Sequence, residues 1–169
     1  MERVAKFEKV SFEQFKKDWQ KNFSSTDEEI KTIYESISLP KRATKQSAGY
    51  DFYAPITIQL KPQEVKLIPT GIRAKMVDGY VLMLYPRSSL GFKYRMQLNN
   101  TVGVIDADYY FADNEGHIMV KFMNDSRSDA QLVIEQGAGM VQGIFMPFGI
   151  TEDDAVKEER KGGLGSTTK

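Results

Sequence analysis

The sequence predicts a mainly β protein, a jelly-roll β-barrel carrying a small helical insert near its N-terminus. Two observations predict it. From about residue 48 onward, short apolar runs (ITIQL, VKLIPTGIRAKM, YVLMLYP, HIMVKFMN, AQLVIE, MVQGIFMPF) alternate with turns containing Pro, Gly and Asp. That is the rhythm of a sandwich or barrel of short strands. Between residues 11 and 38 the period changes to that of helices. A chain of 169 residues suits one domain with room for a real core.

In SFEQFKKDWQKNF, the residues Phe12, Phe15, Trp19 and Phe23 recur at spacings of three and four, an aromatic stripe on one helical face. In SSTDEEIKTIYESISLP, Thr26 with Glu29 fits a capping box, and Ile30, Ile33, Tyr34 and Ile37 mark one face. Pro40 stops this second helix. Residues 11–38 thus read as a helical hairpin. Its aromatic stripe is either buried against the body, the simpler reading, or offered to a partner or membrane surface. The strands then follow to residue 158. The final stretch, 159–169, lacks any apolar period and reads as a flexible arm.

Composition excludes several chemistries. Lys plus Arg equals Asp plus Glu at 23 each, so the broad basic field of a nucleic-acid coater is missing and no direct nucleic-acid binding is expected. There is no Cys and one His, which excludes thiolate zinc sites, cysteine nucleophiles and a multi-histidine metal site within one chain. A Ser-His-Asp triad would have to use His117, which sits in EGHIMVKFMN and reads more simply as a partly exposed strand residue. No run is long enough to cross a membrane, and the N-terminus lacks a signal-peptide core, so the expected location is cytoplasmic.

Four corners and the tail carry the remaining chemistry. NNTVGVIDADYY is a β-branched run that stops on Asp106 and Asp108; Asp is disfavoured inside strands, so these carboxylates sit at a rim. Taken alone, a hairpin turn explains them. AGYDFYA places Asp51 among aromatics, and PRSSLGFK offers Arg87, Ser88, Ser89 and successive N–H groups to an anion. QGAGMVQG combines glycines with Gln142, and GGLGSTTK combines glycines with hydroxyls. Glycines beside hydroxyls and Arg suit a polyphosphate, and two acidic corners suit a hydrated Mg²⁺. The residues point to a nucleotide or polyphosphate site on a β scaffold.

In sequence order, AGYDFYA, PRSSLGFK, NNTVGVIDADYY, GAGMVQG and RKGGLGSTTK resemble the five motifs of trimeric dUTP pyrophosphatases (dUTPases), most specifically in GVIDADY and GGLGST. The helical insert and the extra residues in YYFADNEGH resemble phage-type members from Gram-positive hosts. The resemblance implies a jelly-roll homotrimer with sites at subunit interfaces, hydrolysing dUTP to dUMP and pyrophosphate with Mg²⁺. It implies that Asp106 is the general base, and that the hairpin backbone at Gly103, Val104 and Ile105, with Asn100, receives uracil. Tyr109 would lie under the deoxyribose and exclude a 2′-hydroxyl. Arg87, Ser88, Ser89 and Gly91 match the phosphate loop, Gln142 lies near the α-phosphate, and Asp51 holds the metal's water shell. In the arm, Gly163, Leu164, Gly165, Ser166 and Thr167 match the residues closing over the nucleotide, with Arg160 alongside.

Three positions depart from the family pattern. Gly139 stands where the fourth motif usually carries Arg, Leu164 where the arm usually carries an aromatic ring, and Arg160 sits one residue closer to the glycine pair. Two other readings compete: a dCTP deaminase of the same fold, and a regulatory role in which residues 11–38 bind a repressor protein.

Overall fold

The computed structural model describes residues 2–158, 160 and 162. Strand β1 (Ala5–Lys9) opens the chain and is followed by helices α1 (Phe12–Gln20) and α2 (Asp27–Ser36). Seven strands succeed one another, β2 (Lys41–Arg42), β3 (Tyr50–Tyr53), β4 (Ile58–Leu60), β5 (Val65–Pro69), β6 (Ile72–Met76), β7 (Tyr80–Pro86) and, after helix α3 (Ser88–Tyr94), β8 (Met96–Leu98). Then come β9 (Gly103–Ile105), a 3-10 helix (Ala107–Phe111), β10 (Met119–Asn124), β11 (Leu132–Ile134) and β12 (Gly139–Pro147). The mainly β reading with a helical insert therefore holds. The strands pair antiparallel, in the orders β2-β3-β12-β7-β9, β5-β10-β8, β1-β6 and β11-β4. Alternating side chains such as Ile58, Leu60, Leu82, Leu84, Val120 and Phe122 fill one core between them.

The insert forms as its caps dictate. The Ser11 hydroxyl accepts from the Gln14 N–H and starts α1. Thr26 and Glu29 form the reciprocal capping box at the start of α2. That helix ends at Ser36, with Ile37 already extended, so it stops before Pro40 acts. Phe15, Trp19 and Ile30 are buried, and Trp19 stacks on Phe23 at 4.3 Å. Of the two readings of the aromatic stripe, burial is the one observed. The hairpin docks over Gly71, whose φ of +73° favours glycine, and a Cβ there would lie 2.4 Å from Ile37 Cδ1.

Three local expectations need correction. His117 is not a half-exposed strand residue: it is fully buried and precedes β10. PRSSLGFK is not an open loop, since Ser88–Tyr94 form a short helix that ends on left-handed Arg95. The N-terminal residues 5–9 form a strand that the sequence reading did not assign. Their signal is weak because one face is charged, and Phe7 alone reaches the core, edge-on to Phe52 at 5.4 Å.

Candidate active site

The residues singled out from the sequence gather into three groups. The first lies at the end of β7. Asp51 on β3 faces Gln142 on β12, which faces Tyr85 on β7. Arg87, the residue after β7, pairs with Asp51 at 3.1 Å and donates from Nη1 to the Gly139 carbonyl at 3.3 Å. Ser88 and Ser89 open α3 directly beyond it, both exposed, with Gly91 one turn on. Gln142 Oε1 occupies the space above Gly49, 2.6 Å from where a Cβ would stand. This group offers a guanidinium, an amide, two hydroxyls and one carboxylate on adjacent strand ends.

The second group is the β8–β9 segment, which is not the hairpin the resemblance implied: β8 pairs with β10 and β9 with β7, in different sheets. It borders a cavity of about 400 Å³ lined by Leu84, Leu98, Asn100, Gly103, Val104 and Ile105 among others. Gly103 is buried, and a Cβ would press Leu84 Cβ at 3.0 Å. Its bareness therefore serves strand packing as well as access to the cavity. Val104 points outward and Ile105 inward, as the two-residue period of a strand requires.

The third group begins where β9 ends. Asp106 is the N-cap residue of the 3-10 helix, and its carboxylate is exposed at the rim of a second cavity with Asp108 and Arg160. Arg160 bridges the two carboxylates, through Nη2 to Asp106 and through Nε to Asp108 at 3.0 Å. Its guanidinium also lies over the Tyr109 ring, 5.6 Å from the centroid. Tyr109 is 2% exposed; its hydroxyl donates to the His117 carbonyl at 2.8 Å and accepts from Asn114 Nδ2 at 2.7 Å. Burial, helped by the charge of Asp18 and opposed by the Asn114 bond, pushes its phenol above the ordinary value. It stays an O–H donor. Arg160 thus covers both carboxylates and one face of the Tyr109 ring.

Sequence reasoning missed the support behind Tyr109. His117 Nδ1 meets Asp18 Oδ2 of α1 at 2.8 Å, and the Gly71 N–H donates to His117 Nε2 at 2.8 Å. An N–H can only donate, so Nε2 accepts and the ring proton sits on Nδ1, facing Asp18. Among the described residues no hydroxyl contacts Nε2, so none of them completes a Ser-His-Asp triad with His117. Burial works against the charge of Asp18, yet bonds from His117, Lys21 and Gln14 outweigh it and hold the carboxyl well below the usual carboxylate range. A signal existed: Asp18 stands three residues after Phe15, on the apolar face of α1, where a charge must find a buried partner.

The first group stands apart from the other two. Ile105 pairs with Leu82, and Asp106 continues away from Arg87, which follows the opposite end of β7. Five residues along that strand, from Leu82 to Arg87, span roughly 16 Å at about 3.3 Å per residue. No hydrogen bond or ion pair joins the Arg87 group to the Asp106 group among the described residues. Gly163, Leu164, Gly165, Ser166 and Thr167 lie outside the described residues.

Comparison with known proteins identifies the family. The dUTPase family profile matches residues 35–168. A deoxyuridine 5′-triphosphate nucleotidohydrolase of Lactococcus lactis is 49% identical over 144 residues, covering 82% of this chain and 95% of that protein. The dUTPase of Streptococcus mutans is 36% identical with a TM-score of 0.64, covering 86% of this chain and 98% of that one. The dUTPase of Staphylococcus bacteriophage 80alpha, solved with dUpNHpp, shares the fold at a TM-score of 0.65 and 21% identity, covering 93% of this chain and 90% of that one. The five motif segments thus lie in a matched region that spans most of the molecule, and the chain belongs to the dUTPase family.

Proposed function

We infer that the protein is a dUTP diphosphatase, cleaving dUTP to dUMP and pyrophosphate by attack of water on the α-phosphate. The observation that carries this reading is Asp106, an exposed carboxylate directly after the strand whose Gly103, Val104 and Ile105 line a cavity, in a chain matched to dUTPases over most of its length. Asp106 orients the water and takes its proton as the new O–P bond forms. The bond from the α-phosphorus to the bridging oxygen breaks, and pyrophosphate leaves with that electron pair. A modest base suffices, because phosphoryl transfer depends chiefly on positioning and charge neutralisation.

Uracil occupies the cavity beside β9, against Asn100 and the backbone of Gly103, Val104 and Ile105, with the sugar on Tyr109. Arg87, Ser88, Ser89, Gly91 and Gln142 hold phosphate oxygens. Substrate entry exchanges ion pairs: Arg160 gives up Asp106, and Arg87 trades Asp51 for phosphate. Asp51 is then free to hold the water shell of Mg²⁺. The donor set fits that ion, which takes one or two carboxylates together with substrate phosphates. No cluster of three or more His, Cys, Asp or Glu able to hold a metal occurs among the described residues. When bound, Mg²⁺ neutralises part of the triphosphate charge.

The separation of Arg87 and Asp106 favours a homotrimer whose sites combine groups from different copies, since both must meet one triphosphate. The arm at 159–169 closes such a site beyond the single β domain 1–158. No described helix is long and apolar enough to cross a membrane, and we place the enzyme in the cytoplasm. A repressor-type partner at residues 11–38 would read the outward polar face of α2, where Glu28, Lys31, Thr32 and Glu35 are exposed. The aromatic stripe is committed to the core.

The test is pyrophosphate release from a panel of deoxynucleoside and ribonucleoside triphosphates with Mg²⁺. dUTP should be hydrolysed far faster than dTTP, dCTP or UTP. Ammonia released from dCTP instead would turn the assignment to a deaminase.

A further inference from the structure

The insert is joined to the catalytic turn by a continuous chain of buried polar contacts. Asp18 on α1 accepts from His117 Nδ1, and the His117 carbonyl accepts from the Tyr109 hydroxyl. Asp18 is 1% exposed and His117 is fully buried. Gln14 Nε2 at 2.6 Å and Lys21 Nζ at 2.9 Å also hold the Asp18 carboxylate. The other ring nitrogen of His117 is pinned by the Gly71 N–H. The imidazole cannot rotate without breaking one of these bonds, and through Cβ it tethers the backbone that carries the His117 carbonyl. Around it the chain is tightly closed. The His117 N–H donates to the Asn114 carbonyl, and Asn114 donates in turn to the Tyr109 hydroxyl. A Cβ at Gly116 would lie 2.7 Å from the Tyr109 carbonyl oxygen and from Tyr110 Cα. Ile118, next in the chain, is bonded through its N–H to the Ile72 carbonyl and through its carbonyl to Thr70 Oγ1.

A buried carboxylate held by hydrogen bonds is an inefficient adhesive, because apolar residues of similar volume commonly stabilise as well or better. The insert already has an adhesive in Val10, Phe15, Trp19 and Ile30, all buried. What the polar pair adds is direction. It aims one carbonyl at one phenol, and Tyr109 lies in the same 3-10 turn that Asp106 caps, its N–H donating to the Asp106 carbonyl at 3.2 Å.

We propose that Asp18 and His117 are positioning residues for dUTP hydrolysis, holding the Tyr109 ring against the sugar and so making helix α1 part of the specificity machinery. This rests on the reading of Tyr109 as the sugar platform. The pair touches no substrate. It acts by restricting the tilt of a ring whose closeness to C2′ decides between hydrogen and hydroxyl.

The experiment compares kcat and KM for dUTP and UTP in six full-length variants, each with its thermal midpoint. Asp18→Ala should lower the dUTP-over-UTP ratio of kcat/KM by about tenfold or more, while Asp18→Asn, which keeps an acceptor for the Nδ1 proton, restores most of it. Tyr109→Phe removes only the hydroxyl and should reproduce the Asp18→Ala loss; the double variant should lose no further selectivity, as expected of two steps in one chain. Ile30→Ala supplies a destabilised insert with the polar chain intact, and should lower the midpoint with selectivity unchanged. If Ile30→Ala and Asp18→Ala lower selectivity equally at equal loss of stability, the pair is only structural and the proposal falls. Should Asp18→Ala not fold, Tyr109→Phe with wild-type selectivity overturns it as surely. Tyr109→Ala separates the two readings: selectivity lost there but kept in Tyr109→Phe and Asp18→Ala leaves the platform and rejects the positioning chain. Selectivity kept even in Tyr109→Ala rejects both.

Discussion

Replacing Gly139 by alanine places a methyl group where the Arg87 side chain now lies, 2.6 Å from Nη1 and 3.0 Å from Cδ and Cζ. The obstructed atoms are the far end of a flexible side chain, so the backbone need not shift; the guanidinium swings away. Two contacts then weaken, the pair with Asp51 at 3.1 Å and the bond to the Gly139 carbonyl at 3.3 Å. Arg87 and Asp51 are 36% and 19% exposed, so solvent screens their attraction and the stability loss should be about 0.2–1 kcal/mol. Catalysis should suffer more. A charged group held in place to receive phosphate oxygens contributes about 1.5–3 kcal/mol, and misplacing it should reduce kcat/KM for dUTP roughly 10- to 100-fold. Pyrophosphate release measures the second effect and a thermal melt the first. A variant with kcat/KM within a factor of about two of the parent would refute the role given to Arg87.

Asp106→Asn keeps the shape of the nucleophile's site without a proton acceptor, so kcat should fall by about 10²–10⁴ while dUTP still binds by calorimetry. Because Arg87 follows the end of β7 while Asp106, after β9, lies beside its start, mixed oligomers of Asp106→Asn and Arg87→Ala should regain activity that neither has alone. Pyrophosphate release after co-refolding measures it, and failure to rise in mixed oligomers verified by mass would confine each site to one chain. Acid stability should depend on Asp18. Its carboxyl is held below the unfolded value of about 3.8, so its contribution is fully present above that pH and disappears as pH falls through the folded value. Urea midpoints followed from pH 6 downward should fall less steeply below pH ~4 in Asp18→Asn than in the parent.

Much of the molecule was decided locally and could be read from the chain. The two-residue alternation of ITIQL and HIMVKFMN, the capping box at Thr26 and the aromatic stripe of α1 depend on neighbours a few residues away, and each became the element it predicts. The strand that stops on Asp106 is of the same kind: β-branched residues followed by Asp place a carboxylate at a strand end wherever that strand lies. Two local features misled. The charged face of residues 5–9 hid β1, and the glycine and serines of PRSSLGFK suggested a loop where α3 forms.

What the tertiary structure alone decided depends on pairing across long separations. That Asp18 would meet His117, 99 residues later, follows from α1 docking beside the 70–72 bend, and no periodicity within either segment encodes it. The same register places Asp51, Gln142 and Arg87 at one end of β7 and Asp106 at the other. The motifs name the residues, but antiparallel pairing sets the distance between them, because sliding or reordering strands moves every side chain at once. For this protein the sequence determined which candidate groups are present and where each strand stops, and strand registration determined that Arg87 and Asp106 lie toward opposite ends of β7.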